Sequence, residues 1–415
     1  MKVLQINIAV NKGSTGRIAE DIGATLLSKG HESYIAAAET SQDSQSQVIP
    51  VGHVVDRKIH GLQSRLFDRH GFGSEWATKK LIQKIKLIDP DLIHLHNIHG
   101  YYLNIQVLFC YLKQIQKPVI WTFHDCWPIT GHCAYFDRVD CKRWEVQCYE
   151  CPLKKRYPSS WLLDQSKRNY LDKKSLFNGL NELLIVTPSN WLAGHIPKSF
   201  LKNYPVKTVN NGIDLEVFKP TMAKEVHKKY DIKGHIILGV ASVWDKRKGL
   251  DDFVKLNELI PDDYQIVLVG LNSKQIKQIP DSIIAIERTE NIIQLAELYA
   301  AATVFVNPTY VDNFPTTNLE SLACGTPVIT YHTGGSAEAI DERTGIALDK
   351  GDVKGIVDAI RTISQDSSDY SQELCRNRAE RLYLNTDRYL DYLDLYNELL
   401  KKSNLKKTNS EVLAR

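Results

Sequence analysis

Two carboxylates in the carboxyl-terminal half, Asp312 and Glu320, flank a Pro-Thr-Thr-Asn turn at residues 315–318. The apolar run before them predicts a buried strand, and residues 318–324 predict a helix that ends at Gly325. Open α/β sheets bind ligands at the carboxyl ends of their strands, and free amides at a helix start attract anions. The turn is therefore typical of a diphosphate site.

The placement of the two acids suggests different roles for them. Glu320, in the first helical turn, is suited to accept hydrogen bonds from sugar hydroxyls, while the amides around Thr316 and Thr317 would face the phosphates. For an isolated acid pair the favoured interpretation is that Asp312 caps the turn and Glu320 complements the helix dipole, and only the rest of the chain reverses this preference.

A basic run, Lys246, Arg247 and Lys248, follows another predicted strand and precedes a glycine. Considered alone, such a run is usually a solvated surface. Beside the Asp312 turn, however, Arg247 could grip phosphate oxygens as a fork and Lys248 could act as a mobile point charge. Together they would neutralise a diphosphate leaving group.

Gly13 and Gly16 lie between the first predicted strand and a helix, where glycine lets the backbone approach a phosphate. This segment lacks the third glycine of the dinucleotide fingerprint and the Lys-Ser/Thr of a P-loop. A tight strand-to-helix turn therefore remains the alternative.

Length and composition predict two ordinary globular domains. The chain has 415 residues, more than one hydrophobic core usually serves. Hydrophobic residues make up 43% and charged residues 24%, and a net charge of +3 gives no support for nucleic-acid binding. Met1 leads straight into a strand pattern, without a leader or a run of about 18 apolar residues, which favours the cytoplasm.

Short Val/Ile/Leu runs alternate with longer amphipathic segments, and this βαβ pattern of a parallel sheet occurs twice. We expect an acceptor-side Rossmann-like domain at residues 1–195 with a Cys-rich insertion at 126–158, and a donor domain at 196–378. A closing helix at 379–402 should pack back on the first domain, before a flexible tail at 403–415.

Four of the eight cysteines are close together in the chain: Cys133, Cys141, Cys148 and Cys151. Because reducing conditions disfavour disulfides, this spacing favours a tetrahedral structural Zn²⁺ site that pins a loop. Reduced thiols, or a redox pair at the last two positions, remain open. The other four are interpreted as small apolar residues: Cys110, Cys126, Cys324 and Cys375.

A histidine group at His94, His96 and His99 also invites a metal interpretation. Alternation along a strand places the first two on one face. We expect a buried structural histidine and an acceptor contact rather than a catalytic metal.

As an ordered set these motifs resemble retaining glycosyltransferases of family 4. The set is Gly13 and Gly16, His124 with Asp125, the Asn-Asn-Gly-Ile-Asp at 210–214, the Arg-Lys-Gly at 247–249, and the acids Asp312 and Glu320. The resemblance covers residues 3–400. Residues 124–136 further resemble a subgroup that builds bacterial capsular, exopolysaccharide or lipopolysaccharide chains.

The resemblance implies the GT-B fold, in which two Rossmann-like domains face each other across a cleft. It implies transfer from a UDP- or GDP-type nucleotide-diphospho-sugar to a glycan or lipid-linked acceptor, with no cofactor needed for the chemistry and no nucleic acid. A lipid-linked acceptor would bring the protein to the inner face of the cell membrane. The catalytic residues implied are His124, Arg247, Lys248, Asp312 and Glu320, and the donor-binding residues are Gly13, Gly16, Asn313, Phe314, Thr316, Thr317 and Asn318.

The chain departs from the family pattern at two positions. Asp312 replaces a glutamate that is common there, and Ser242 stands where an arginine is common. These departures motivate an alternative, a catalytically weakened sugar-nucleotide-binding or zinc-stapled interaction protein. A nicotinamide-dependent oxidoreductase is a third hypothesis, which the missing glycine fingerprint disfavours.

Overall fold

The computed structural model describes residues 1–222, 224–365 and 369–413, without side-chain detail at 224 and 407–413. The chain forms two compact units, here called unit 1 (Met1–Asn210 and Arg388–Arg415) and unit 2 (Asn211–Asp387). The boundaries predicted at 195 and 378 therefore differ from those observed. Residues 196–210 stay with unit 1 because they add a last strand to its sheet.

Unit 1 is built on a parallel sheet of seven strands in the order β3-β2-β1-β4-β5-β6-β7. The strand order reverses between β1 and β4, as in doubly wound folds. Most of these strands are buried on both faces, which explains why the sequence shows continuous apolar runs rather than alternation. The strands are β1 Lys2–Ala9, β2 Glu32–Glu39, β3 Gln47–Pro50, β4 Leu92–Leu95, β5 Val119–Thr122, β6 Leu183–Thr187 and β7 Val206–Thr208.

Six helices connect the strands of unit 1. The long connection from β5 to β6 holds the Cys-rich segment as short 3₁₀ turns and loops before α5 begins. The helices are α1 Gly13–Ser28, α2 Val54–Phe67, α3 Glu75–Ile88, α4 Ile105–Ile115, α5 Ser166–Phe177 and α6 Asn190–Ala193.

Unit 2 repeats the design with six parallel strands in the order β10-β9-β8-β11-β12-β13. Its order reverses between β8 and β11, so the loops that follow these two neighbouring strands meet at one edge of the sheet. The strands are β8 His235–Val240, β9 Tyr264–Val269, β10 Ile284–Ile286, β11 Val304–Asn307, β12 Val328–Tyr331 and β13 Gly345–Leu348.

The helices of unit 2 flank this sheet on both faces and bury two separate apolar clusters. They are α7 Lys224–Lys229, α8 Leu250–Asn257, α9 Ser273–Ile276, α10 Ile292–Ala301, α11 Thr316–Ala323, α12 Val353–Gln365 and α13 Gln372–Tyr383.

The single closing helix predicted at 379–402 is instead two helices, α13 and α14 (Asn385–Leu413). The helix is interrupted at Leu384, which pairs with Ile213 in a parallel bridge. Beyond the break, Tyr392 and Tyr396 of α14 are buried against Val3 and other residues of unit 1. The predicted flexible tail is helical as far as Leu413, while residues 414–415 lie outside the described part.

No helix in the described ranges combines the length and the apolar character needed to cross a membrane.

Candidate functional site

The predicted meeting of the basic run with the Asp312 turn is present in unit 2. Lys248 lies in the loop between β8 and α8, Asp312 lies in the loop between β11 and α11, and β8 and β11 are neighbours in the sheet. Lys248 Nζ is 2.5 Å from Asp312 Oδ2, and each side chain is less than a fifth exposed. The pair therefore places one positive and one negative charge at the carboxyl edge of the sheet.

Asp245, which the sequence analysis missed, shapes the basic loop. Its Oδ1 accepts hydrogen bonds from the backbone amides of Arg247 and Lys248, at 2.9 and 3.1 Å. The guanidinium of Arg247 in turn donates to the carbonyl of Val311 at 3.3 Å. An aspartate two residues before a basic pair is the signal that could have revealed this turn.

The start of α11 has the features of an anion site. Its N-cap position is Pro315, and no side chain caps the first turn. The Thr317 hydroxyl is buried without a hydrogen-bond partner among the described residues. The amide of Asn313 donates to Asp312 Oδ1 at 3.0 Å, which fixes the acid at the entrance of the turn. The positive end of the helix dipole thus lies beside Asp312.

Glu320 lies one turn further along α11 and is almost fully buried. Its Oε2 accepts a hydrogen bond from the Tyr299 hydroxyl at 3.0 Å. Burial and the neighbouring Glu320 carboxylate hold the pKa of Tyr299 well above its usual value, so the phenol remains a donor. Tyr299 therefore orients the carboxylate.

Two of the predicted donor-binding residues, Asn318 and Phe314, turn their side chains into the interior of unit 2, whereas the predicted donor contacts are those of backbone amides. The Asn318 side chain is fully buried, where it accepts from Asn307 Nδ2 at 2.8 Å and donates to the Ser336 carbonyl at 3.0 Å. The Phe314 ring packs on Tyr383 in the core, 5.9 Å between ring centroids. The amide group of Asn318 and the ring of Phe314 are therefore engaged within unit 2. Both side chains help to hold the turn in shape.

Asp252 is a second residue that the sequence analysis missed. This buried residue on α8 accepts hydrogen bonds at Oδ2 from the hydroxyls of Tyr310 and Tyr331, at 2.8 and 3.0 Å. Burial and the Asp252 carboxylate raise the pKa of Tyr310 to about 12. The contact anchors the loop that carries Asp312. Gly334 supports the same loop, since an added Cβ would lie 1.6 Å from the Asp312 carbonyl oxygen.

The two glycines of the first motif lie in unit 1, whereas the other predicted donor-binding residues lie in unit 2. The Gly16 carbonyl accepts from the Asn11 amide at 3.1 Å, and an added Cβ on Gly16 would be 3.3 Å from the Ala9 carbonyl oxygen. These contacts agree with the tight-turn alternative. Gly13, with φ of +66°, opens α1 and has open space around it.

His124 follows β5 in unit 1 and belongs to a chain of histidines. Its Nε2 lies 3.1 Å from Nδ1 of His96, whose Nε2 lies 3.0 Å from Gln5 Oε1. Burial lowers the pKa of His124 to about 4 and that of His96 well below the usual range. Both rings are therefore neutral near pH 7.

His94 and His99 have different partners. His94 is buried between Tyr396 and Thr122, at 2.7 and 2.8 Å, so it ties α14 to the sheet. His99 Nε2 lies 2.9 Å from Oδ2 of Asp125, and its Nδ1 lies 3.0 Å from the half-exposed Tyr157 hydroxyl.

Acid should destabilise unit 1, because the folded pKa of His124 lies below the value of about 6.5 that a free histidine has. The unfolded chain then binds more protons, so stability is lost as the pH falls from about 6.5 towards 4. The depression corresponds to roughly 3 kcal/mol, at about 1.4 kcal/mol per unit of pKa. Urea unfolding followed by tryptophan fluorescence at several pH values measures it. His124→Asn should reduce this dependence without removing it, because burial also lowers the pKa values of other histidines in unit 1: His60, His70, His94 and His96. An equal slope in the variant would contradict the assignment.

The four clustered cysteines line one cavity of about 20 Å³, together with His132. Cys133 and Cys151 share a hydrogen bond, which lowers the pKa of the Cys151 thiol to about 7 and raises that of Cys133. However, the described ranges contain no group of three or more His, Cys, Asp or Glu arranged to hold a metal ion. Zinc at Cys133, Cys141, Cys148 and Cys151 stays a prediction. Of the other four cysteines, Cys126, Cys324 and Cys375 are buried, whereas Cys110 is exposed.

Two family models match the chain. Residues 15–217 match Glycosyltransferase Family 4, and residues 234–366 match Glycosyl transferases group 1. The first falls in unit 1 with a short extension into unit 2, and the second falls within unit 2.

Relatives and solved structures agree with the family models. The putative colanic acid biosynthesis glycosyl transferase WcaC of Escherichia coli K12 is 25% identical over 391 residues, 86% of this chain and 89% of its own. The capsular polysaccharide biosynthesis glycosyltransferase CapM of Staphylococcus aureus is 24% identical over 47% of this chain and 54% of its own.

Among solved structures, sucrose-phosphate synthase of Thermosynechococcus elongatus aligns with a TM-score of 0.71 at 17% identity, covering 96% of this chain and 99% of its own. Anabaena Alr3699/HepE, solved with UDP and glucose, aligns with a TM-score of 0.67 at 14% identity, covering 96% of this chain and 99% of its own. With the two doubly wound sheets and the ordered motifs, these matches show that the chain is a glycosyltransferase of family 4 with the GT-B fold.

Proposed function

We propose that this enzyme is a retaining transferase that moves a sugar from a nucleotide-diphospho-sugar to a glycan or lipid-linked acceptor in bacterial surface polysaccharide synthesis. The observation that carries the proposal is the Lys248–Asp312 pair beside the uncapped start of α11. The names of WcaC and CapM support the polysaccharide context, and the UDP complex of HepE supports a UDP-type donor.

In the proposed donor complex, the diphosphate receives hydrogen bonds from the amides of Thr316 and Thr317. Lys248 shares its charge between Asp312 and the phosphate, and Arg247 adds a forked contact. The Glu320 carboxylate accepts hydrogen bonds from the ribose hydroxyls. The positive charge of Arg247 would replace that of the arginine that is common at the position of Ser242.

Asp312 contributes by holding hydroxyls of the transferred sugar. Its ion pair with Lys248 fixes the carboxylate oxygen Oδ2 and leaves less negative charge free for attack on a carbon atom. His124 is proposed to hydrogen-bond a hydroxyl of the transferred sugar. Its ring is neutral, and with Nε2 in contact with His96 it can exchange a hydrogen bond with the hydroxyl without adding charge.

The proposed reaction retains the anomeric configuration. The bond from the anomeric carbon to the phosphate oxygen breaks, and the acceptor oxygen bonds to the same face of that carbon. The acceptor hydroxyl proton passes to the departing phosphate. The transition state resembles an oxocarbenium ion, and the protein aligns the reactants and stabilises the leaving diphosphate.

A panel of UDP- and GDP-sugars tests the donor assignment. A donor that binds only the folded state at 100 times its Kd should stabilise the protein by about 2.7 kcal/mol, which is visible as a higher Tm. The same donor should show slow nucleotide release in the absence of acceptor. A Tm increase without turnover in any acceptor mixture would instead support the catalytically weakened alternative, and no Tm increase with any nucleotide sugar would contradict both.

We also propose that the Cys cavity takes a structural Zn²⁺. Thiolates and imidazole suit zinc, and the buried Nε2 of His132 has no hydrogen-bond partner among the described residues. His132 Nδ1 is 2.5 Å from Asp68 Oδ1, the contact that often orients a metal-binding imidazole. Zinc would have to draw the thiols closer together than they lie here.

Metal analysis of protein purified without added zinc should give about one Zn²⁺ per chain. Cys133→Ser with Cys151→Ser should abolish it, whereas Cys110→Ser, which removes an exposed thiol outside the cavity, should not. Trace zinc together with four freely titrating thiols in the native wild type would contradict the metal site.

A further inference from the structure

Helix α2 (Val54–Phe67) exposes its apolar side chains and buries its polar ones. Val55, Ile59, Leu62 and Phe67 are each at least 50% exposed. The buried residues of the helix are His60, Gly61 and Ser64. A surface helix of a globular protein normally has the opposite arrangement. The exposed face of α2 therefore lacks an apolar partner within the described part of the chain.

Hydrogen bonds at His60 fix this orientation. His60 Nδ1 lies 2.9 Å from the Ser74 hydroxyl, and its Nε2 accepts from the amides of Gly71 and Gly73, at 3.3 and 3.2 Å. Turning α2 to bury its leucine and isoleucine would break all three contacts and bury polar groups without partners. The outward apolar face is thus built into the fold of unit 1.

A second apolar segment continues this face. Trp161 and Leu162 are 59% and 65% exposed, and Leu163 is also exposed. The Trp161 amide donates to the Arg65 carbonyl of α2 at 2.6 Å, and the Arg65 guanidinium carbon lies 5.9 Å from the centroid of the Trp161 ring. Residues 161–163 and the carboxyl end of α2 therefore form one surface, here called the apolar face.

Basic residues surround the apolar face. Residues 54–67 and 154–164 contain six lysines and arginines and two acids, Asp56 and Asp164, and Arg57 pairs with Glu39 at 2.9 Å. Asp56 accepts from the backbone amide of His53 at 2.8 Å, as a cap of α2. Lys154 Nζ donates to the Leu162 carbonyl at 3.3 Å, which places the basic segment at the rim of the apolar one. The exposed charges are those of Lys58, Lys155 and Arg156.

We propose that the apolar face docks unit 1 on an anionic lipid bilayer. Leucine, isoleucine and tryptophan would enter the boundary between headgroups and acyl chains, while the lysines and arginines meet anionic headgroups. A second copy of the chain fits less well, because an isologous contact would bring the same positive charges together. The inference rests on the proposed function only in that a lipid-linked acceptor would lie in this bilayer.

Vesicle co-sedimentation of the full chain tests the proposal. The wild type should bind vesicles of phosphatidylcholine mixed with phosphatidylglycerol, bind phosphatidylcholine alone more weakly, and lose binding as salt is added. Ile59→Asp with Leu62→Asp should weaken binding by at least about 10-fold, since two apolar side chains that would be buried in the bilayer are replaced by charged ones. Trp161→Ser should weaken it independently. Leu87→Asp is the matched control, because Leu87 is 86% exposed at the end of α3, outside both segments.

Either of two vesicle results would overturn the docking proposal: no sedimentation of the wild type with anionic vesicles, or equal sedimentation of wild type and apolar-face variants. Conversion of a wild-type dimer to monomer by Ile59→Asp and Leu62→Asp, with vesicle binding unchanged, would overturn it in favour of self-association. The donor-induced Tm increase separates this test from the proposed function, since Lys248, Asp312 and Glu320 lie in unit 2. A variant that loses vesicle binding but keeps the donor-induced Tm increase is altered at the apolar face and not at the donor site.

Discussion

Lys248→Ala should lower kcat by about 100- to 1,000-fold, the usual effect of removing one group that stabilises a developing anion. The side chain is paired with Asp312 at 2.5 Å and lies at the sheet edge where the diphosphate is proposed to depart. The substitution also leaves Asp312 without its ion partner, so thermal unfolding must be compared in parallel. Initial rates across donor concentrations separate kcat from KM.

Lys246 offers a matched control for this substitution. It is exposed in the same loop, and Lys246→Ala should leave kcat unchanged. Lys248→Arg keeps the charge and should retain part of the activity, although its planar fork fits differently. Full activity of Lys248→Ala in a stable protein would show that the lysine does not act on the leaving group.

Glu320→Ala should raise the KM for the donor by about 10- to 100-fold, because hydrogen bonds to a charged group contribute roughly 1.5–3 kcal/mol. The buried carboxylate is proposed to bind the ribose hydroxyls. Direct titration of UDP measures the same loss without turnover. The alanine variant also leaves the Tyr299 hydroxyl without its acceptor, so its unfolding free energy must be measured as well.

Tyr299→Phe distinguishes binding from positioning. It removes the 3.0 Å hydrogen bond to Glu320 and keeps the carboxylate. A small increase in KM is expected for Tyr299→Phe, and a large one for Glu320→Ala. Unchanged UDP affinity in Glu320→Ala would refute the proposed ribose contact.

The central strands of both sheets could be predicted from sequence, because a strand covered on both faces shows a short continuous apolar run. The runs at β6, β8, β9 and β11 are of this kind. The strands that lack such a run are three or four residues long and lie at the edges of the sheets: β3, β7, β10 and β13. Such strands bury fewer apolar side chains, so their sequences resemble loops.

The domain boundaries depended on pairings that no local pattern encodes. β7 has an intermediate, exposed, intermediate burial pattern and still completes the first sheet. Similarly, the predicted closing helix breaks at Leu384 because that residue pairs with Ile213, far away in the chain.

The chemistry of the site was easier to predict than its supports. The acids and the basic run could be located from their place after strands, since parallel strands bring their carboxyl ends to one edge. Asp252 acts through hydrogen bonds from two tyrosines and has no sequence signature of its own, whereas the Asp245 turn could have been recognised from the aspartate two residues before Arg247. Asn318 was assigned to the ligand because backbone amides at a helix start are usually unpaired, yet its amide donates to the Pro315 carbonyl at 3.2 Å and its side chain donates to the Ser336 carbonyl.

The orientation of α2 also lay beyond sequence reasoning. Its apolar and polar positions alternate with helical spacing, which would normally place Ile59 and Leu62 inside. Only the contacts of His60 with Ser74, Gly71 and Gly73 show which side is buried.

The central claim is that the start of α11 binds the diphosphate of the donor. The most direct measurement is a crystal structure of the protein with UDP bound. The diphosphate should lie within hydrogen-bond distance of the Thr316 and Thr317 amides and of Lys248 Nζ, with the ribose on Glu320. A diphosphate bound elsewhere, with the Lys248–Asp312 pair and the α11 amides free of ligand contacts, would contradict the account.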